Sequence, residues 1–278
     1  MDATTGPMSE AHTFQHEAMK TTFTLRLMSE DKALAKNVAH AAVELIDTIE
    51  NTLSRYIEGS DVWQINQMAS GETRFLTEHC YACLHTALEV CVESEGLFDI
   101  TLGRQIEHQK NKVMGDAPDL SGQLMLDPDR PAIHCIETGR EIDLGGIGKG
   151  YALDQIKALA QDWGIEAALL SAGASTQLAY GHHTWPITLQ GEHSTLVLNL
   201  KDQSLSVSGT GIQGSHIVSP DSKQTDYTHA RVWLCAESAA KADAYSTAAL
   251  LMRESNLSRL STSLDYLYVE TANGIQRI

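Results

Sequence analysis

Glu141-Ile-Asp-Leu-Gly-Gly-Ile-Gly-Lys-Gly-Tyr-Ala-Leu-Asp154 is the stretch that decides how this chain is read. It predicts a short apolar strand carrying an acid, Asp143, then four glycines within positions 145–150 around Lys149. A helix is expected from about Tyr151 to Trp163, with Gly164 placed to end it. Glycine admits positive φ and lets backbone N–H groups come close to a ligand. A glycine turn feeding a helix N-terminus is suited to an anion, although the same pattern also serves a plain strand-to-helix turn. The familiar nucleotide patterns do not fit. Gly150 stands where a Walker A loop needs Ser or Thr, and Tyr151 stands where a Rossmann turn needs its third glycine.

Away from this loop, residues 17–28 read as a strand and residues 31–53 as an amphipathic helix with Leu34, Val38, Ala42, Leu45 and Ile49 on one stripe. Thr77 is placed to cap a helix reaching about Glu95. The polar stretch 103–130 reads as a long loop. Short strands are expected at 166–170, 187–190, 195–200, 204–208 and 230–236, a helix at 239–252, and a C-terminal hairpin, 266–270 with 275–278, turned at Asn273-Gly274. Helices set between runs of neighbouring strands imply an α+β fold, with mixed or antiparallel sheets flanked by helices.

Composition narrows the function. A net charge of −16 argues against nucleic acid or an anionic membrane as the main partner. No apolar run approaches the ~18 residues of a membrane span. Residues 1–16 are polar and lack the basic start and apolar centre of a signal peptide, so they read as a tail. The chain as it stands reads as cytoplasmic, and as periplasmic if a leader was removed. Five cysteines give no disulfide framework. Cys80 and Cys83 form a CxxC without a second pair to complete a zinc site. They fall in a helical pattern with Leu84, Leu88 and Cys91, which reads as packed thiols.

Asp243 and Thr247 lie four residues apart on an expected helix, so both side-chain oxygens share a face. A carboxylate and a hydroxyl suit a hard cation such as Mg²⁺. The alternative is an exposed acid beside a threonine bonded to its own helix. As a helix-surface group, Asp243 would be replaceable within about 0.5 kcal/mol.

The glycine stretch resembles the ApbE family, the FAD:protein FMN transferases, whose members carry Asp-Leu-Gly-Gly-x-x-Lys-Gly leading into a helix that begins Tyr-Ala. Five further segments follow in the family's order. They are Met19-Lys-Thr-Thr-Phe23, Leu53-Ser-Arg-Tyr56 with Ser60 and Asn66, Leu97-Phe-Asp-Ile-Thr101, His216-Ile-Val-Ser-Pro220 and Ala242-Asp-Ala-Tyr-Ser-Thr247. The resemblance implies a single α+β domain over 17–278, built as two closely packed subdomains. It implies flavin-nucleotide contacts from Met19, Tyr56, Leu97, Phe98, Asp99, Asp143, Lys149 and Ile217. It implies a Mg²⁺ site from Asp243, Thr247 and the backbone of Gly146, and His216 as the general base.

The implied reaction cleaves FAD and joins FMN through a phosphoester to a threonine of a partner flavoprotein, releasing AMP. Two alternatives stand beside it: hydrolysis of FAD to FMN and AMP, and flavin binding without catalysis. Departures from the family pattern bear on the choice. Ser219 replaces the usual acid of His-Ile-x-Asp-Pro, and Asp221-Ser-Lys-Gln lacks the Thr-Gly often found after the proline. Ala174-Ser175 replaces the end of Gly-Gly-Asp/Asn, and Lys20 fills a glycine place.

Overall fold

The computed structural model describes residues 10–209, 218, 229–253, 256–257 and 266–278. The chain opens with β1 (Glu10–Ala18) and β2 (Thr21–Ser29), then α1 (Lys32–Leu53), α2 (Asp61–Ile65), β3 (Thr73–Phe75) and α3 (Glu78–Glu93). α4 (Gly103–Lys110), β4 (Gln123–Leu126), β5 (Ala132–Glu137) and α5 (Gly148–Asp162) follow. Next come β6 (Ala167–Ala172), β7 (Thr176–Tyr180), β8 (Trp185–Gln190), β9 (Thr195–Leu200) and β10 (Gln203–Gly209). β11 (Arg231–Ala236), α6 (Ala239–Leu251), β12 (Tyr266–Thr271) and β13 (Gly274–Arg277) complete the described chain.

The main sheet runs β1-β2-β6-β7-β10-β11-β12-β13, and every neighbouring pair in it is antiparallel. Because alternate strand residues face opposite sides, one face collects Phe23, Leu25, Leu170, Val232 and Leu234 against the helices α1, α3, α5 and α6. Leu169, Leu205, Trp233 and Tyr268 point the other way and pack with Trp185, Ile187 and Leu189 of the β8-β9 hairpin. A small sheet, β3-β5-β4, stands apart. The Asn66 side chain pins this region to the glycine stretch, donating to Ile142 O at 2.9 Å and accepting from Ile142 N at 2.7 Å. The architecture is α+β with antiparallel sheets and flanking helices, as the sequence implies.

Several local expectations need correction. The presumed tail from residue 10 onward is strand β1, paired with β2 from Glu10↔Ser29 to Ala18↔Thr21. Its polar, half-exposed alternation gives no apolar signal, and only Phe14 and Ala18 meet the core. The loop expected over 103–130 contains α4 and β4, short elements with few buried residues. Residues 141–144 form no strand, only an isolated parallel bridge, Leu102↔Glu141. β7 gave no sequence signal of its own. The last hairpin turns at Ala272-Asn273, since Thr271 pairs with Gly274.

The helices begin at caps. Asp31 accepts from Ala33 N and Leu34 N at the start of α1, and Thr77 accepts from Cys80 N at α3. On α1 the buried stripe is Ala35, Val38, Ala42, Ile46, Ile49 and Leu53, rotated from the expected one, so Leu34 and Leu45 lie at its margin. On α3 the stripe runs through Cys80, Cys83, Leu84, Ala87 and Val90, while Leu88 is exposed. Both CxxC thiols are free and buried, and burial raises their pKa well above the ordinary thiol value, consistent with packing.

α5 and α6 meet at Gly150. A Cβ there would lie 2.1 Å from Ala239 O. Asp154, one turn further, accepts from Ser238 Oγ, Ala239 N and Ala240 N at 2.8–2.9 Å and so caps α6 from α5. Gly150→Ala is therefore expected to force the helices apart and to destabilise the protein by about 1–3 kcal/mol, an overpacking effect. A shift of the urea midpoint measures this, and an unshifted midpoint would mean the contact yields freely.

Candidate functional site

A cavity of about 590 Å³ opens where the β1-β2 turn, the end of α1, the segment after α3, the glycine loop and α6 converge. All ten described candidates line it: Met19, Tyr56, Leu97, Phe98, Asp99, Asp143, Gly146, Lys149, Asp243 and Thr247. His216 and Ile217 lie outside the described residues, as does Ser219.

Met19 and Lys20 form the two-residue β1-β2 turn, both with positive φ (49° and 58°). Such turns favour glycine or asparagine, so Lys20 in a glycine place is a strained choice. Met19 N donates to Glu50 Oε1 at 2.8 Å, tying the turn to α1. Tyr56 is 50% exposed, leaving a ring face to the cavity. Lys20 Nζ lies 4.4 Å from its centroid and Lys110 Nζ 5.6 Å, close enough for cation–π attraction. Lys110 also donates to Tyr56 Oη at 3.1 Å.

Asp143 uses Oδ1 to accept from Gly145 N at 2.8 Å, the loop-acid role. Its Oδ2 lies 3.5 Å from both Arg55 Nη1 and Lys110 Nζ. Arg55 in turn donates to Glu141 Oε2 at 2.6 Å. Burial lowers the pKa of the Lys110 ammonium, but Asp143 and the Tyr56 hydroxyl outweigh it and the net shift is upward. Lys20, Arg55, Lys110 and Lys149 thus face the cavity beside Glu50, Asp99, Asp143 and Asp243, a balance of cations and carboxylates in a chain whose net charge is −16. Sequence reasoning passed over Arg55 and Lys110. Arg55 could have been flagged as the neighbour of Tyr56, whereas Lys110 sits in a polar stretch that gave no sign of it.

Asp99 is already engaged. Its Oδ1 accepts from Thr101 N at 2.8 Å and Oγ1 at 2.7 Å, and Oδ2 accepts from Arg140 Nη1 at 3.2 Å. Lys149 bends back over the loop, with Nζ 3.2 Å from Gly145 O and 3.6 Å from Asp243 Oδ2.

Asp243 is not a surface acid. It is 5% exposed on a helix buried nearly all round. Its Oδ1 faces Thr176 Oγ1 at 3.1 Å and Ser206 Oγ at 3.2 Å, and Oδ2 accepts from Gly150 N at 3.3 Å. Thr247 Oγ1 donates to Asp243 O at 3.4 Å. Thr247 also neighbours Gly146, where a Cβ would come within 3.4 Å of Oγ1 and 3.1 Å of the Phe98 ring. The donors gathered here are carboxylate, hydroxyl and backbone oxygens, which fit a hard cation such as Mg²⁺. Among the described residues no three His, Cys, Asp or Glu side chains form a metal cluster. A cation here would lean on one carboxylate, with the balance of its ligands from water or phosphate.

The ApbE family model matches residues 19–268, and the chain belongs to the ApbE family. It is similar to the FAD:protein FMN transferase of Klebsiella pneumoniae (strain 342), 25% identical over 245 residues, covering 77% of this chain and 74% of that protein. A second relative, the FAD:protein FMN transferase of Salmonella typhimurium, is 22% identical over 289 residues, covering 90% and 81%. The fold matches the apo flavinyl transferase ApbE of Pseudomonas stutzeri with a TM-score of 0.83 at 20% identity, over 100% of this chain and 96% of that one. It also matches the ApbE protein of Thermotoga maritima, TM-score 0.81 at 23% identity, over 96% and 97%.

Proposed function

We propose that this chain is an FAD:protein FMN transferase that moves FMN from FAD to a threonine of a partner flavoprotein. The observation that carries the reading is the convergence of ten candidate residues, from segments spread between Met19 and Thr247, on one cavity. Its volume falls within the ~300–1,000 Å³ typical of small-molecule sites. Both curated relatives described above carry this activity in their names.

In this reading Tyr56 and Met19 border a planar ring of FAD, and Phe98 packs against the nucleotide beside the glycine loop. Arg55, Lys110 and Lys149 bring cationic charge to a dianionic pyrophosphate that the acidic chain would otherwise repel. Asp243, Thr247 and the backbone of Gly146 would hold Mg²⁺, which when bound screens the pyrophosphate and the AMP leaving group. The threonine hydroxyl attacks the flavin-side phosphorus, the bond from that phosphorus to the bridging oxygen breaks, and AMP departs. His216 takes the hydroxyl proton, as an imidazole near its ordinary titration range can do.

Incubation with FAD, Mg²⁺ and a threonine-bearing flavoprotein domain tests the whole reading. The domain should gain one FMN as a phosphoester, seen by intact mass, with one AMP released. Free FMN without attachment would replace the transferase by a hydrolase. Neither product would leave only flavin binding.

A further inference from the structure

We propose that Thr176 and Ser206 are positioning residues that clamp the Asp243 carboxylate, fixing one oxygen so that the other is presented to the cation. The inference rests on the reading of Asp243 as a Mg²⁺ ligand.

The two residues are direct cross-strand partners, Thr176 on β7 and Ser206 on β10. Both are fully buried at 0% exposure, and neither lines the cavity. Their hydroxyls lie 3.3 Å apart and converge on the same atom, Asp243 Oδ1, at 3.1 and 3.2 Å. Ser206 has one proton and a second acceptor within reach, Ser175 O at 3.2 Å. The carboxylate is the stronger acceptor, since charge-assisted hydrogen bonds are about twice as strong as neutral ones. Ser246 Oγ lies 3.4 Å from Ser206 Oγ, but its own proton has a nearer acceptor in Asp243 O at 2.9 Å.

A hydroxyl buried without a partner is destabilising, so two of them side by side in the sheet interior need an acceptor. Asp243 supplies it across the sheet–helix interface. With Oδ1 held from below, rotation about the last side-chain torsion is arrested. Oδ2 is then the oxygen directed to Gly150 N at 3.3 Å and Lys149 Nζ at 3.6 Å, at the cavity wall. Hydrogen-bond partners of a metal ligand orient it and raise its effectiveness, and their loss typically lowers metal affinity about 10- to 100-fold.

The test titrates Mg²⁺ calorimetrically into protein saturated with ADP, which carries the diphosphate and adenosine of FAD but no flavin to transfer. Thr176→Val, Ser206→Ala and the double variant should bind Mg²⁺ about 10- to 100-fold more weakly, while ADP affinity measured without Mg²⁺ stays at the wild-type value. Thr176→Ser, which restores the hydroxyl, should recover the affinity. Unchanged Mg²⁺ affinity in Ser206→Ala and Thr176→Val overturns the clamp, as does a parallel fall in Mg²⁺-free ADP affinity, which would mark a general loss of structure. If the double variant fails to fold, the Ser206→Ala and Thr176→Ser pair decides, because each leaves the strand pairing in place. The wild type is assayed for FMN attachment alongside. If it attaches FMN while all variants bind Mg²⁺ equally, only the clamp falls. If it neither takes up Mg²⁺ with ADP nor attaches FMN, the reading beneath the clamp falls as well.

Discussion

Asp243→Asn is expected to lower Mg²⁺-dependent FMN attachment at least about 100-fold while the protein still folds. A metal acting as Lewis acid contributes several kcal/mol to the transition state, and each 1.36 kcal/mol is a factor of ten. Asparagine keeps a carbonyl oxygen for Thr176 and Ser206 but removes the charge that would hold the cation. It also turns an NH₂ toward Gly150 N and Lys149 Nζ, which lie 3.3 and 3.6 Å from the present Oδ2, and that donor–donor contact costs about 1–3 kcal/mol. Asp243→Ala should be worse in a second respect. The residue is 5% exposed, so its removal takes the charged acceptor from the two hydroxyls, leaving them only Ser175, and leaves the Lys149 ammonium, itself 12% exposed, without its carboxylate partner. A loss of about 2–5 kcal/mol follows, a large share of the 5–15 kcal/mol typical of a domain. The expectation of a near-neutral surface exchange is thereby revised. Thermal melts beside FMN-attachment rates on both variants separate the two effects. An asparagine variant with wild-type Mg²⁺-dependent turnover would remove Asp243 from the metal site.

The revision shows where the sequence is readable and where it stops. The i, i+4 spacing of Asp243 and Thr247 puts both on one face of α6, and both line the cavity. Their burial was hidden because α6 is rich in alanine and packs on nearly every side, so no polar face marks the solvent. The caps Asp31 and Thr77 set their helices from local chemistry alone. β1 escaped because an edge strand with one covered face needs few apolar residues, and α4 because it is short and mostly solvated. The glycine loop was legible as a turn into a helix. The reason for Gly150 was not, since the atom it must avoid, Ala239 O, is 89 residues away in the chain (239 − 150). Arg55 and Lys110 reach Asp143 through the same kind of non-local approach, which no window of sequence encodes.

His216→Ala is expected to slow FMN attachment about 10²- to 10⁴-fold, the usual effect of losing a general base, with FAD affinity unchanged. His216 lies outside the described residues, so only its chemistry and its place in the sequence bear on this role. An attacking threonine hydroxyl must lose its proton as the bond to phosphorus forms. The cavity wall offers carboxylates for that task, yet each has other work. Glu50 is bonded to Met19 N, Asp99 to Thr101 and Arg140, Asp143 to Gly145 N, and Asp243 to the hydroxyl pair and Gly150 N. His216, in the His-Ile-x-x-Pro frame, is the base that the family resemblance implies, and an imidazole is a side chain suited to that task. In that role it would act on the incoming hydroxyl rather than on the bound dinucleotide, so its loss should spare binding. Ser219, two residues past Ile217, replaces the acid usual in that frame, and a serine orients an imidazole less firmly than a carboxylate would. Ser219→Asp is therefore the companion variant, expected to hold or raise the rate. FAD affinity by flavin fluorescence and attachment rate by intact mass are measured on all three proteins. An alanine variant that attaches FMN at the wild-type rate would remove His216 from the chemistry and leave the proton to water or to the acceptor protein itself.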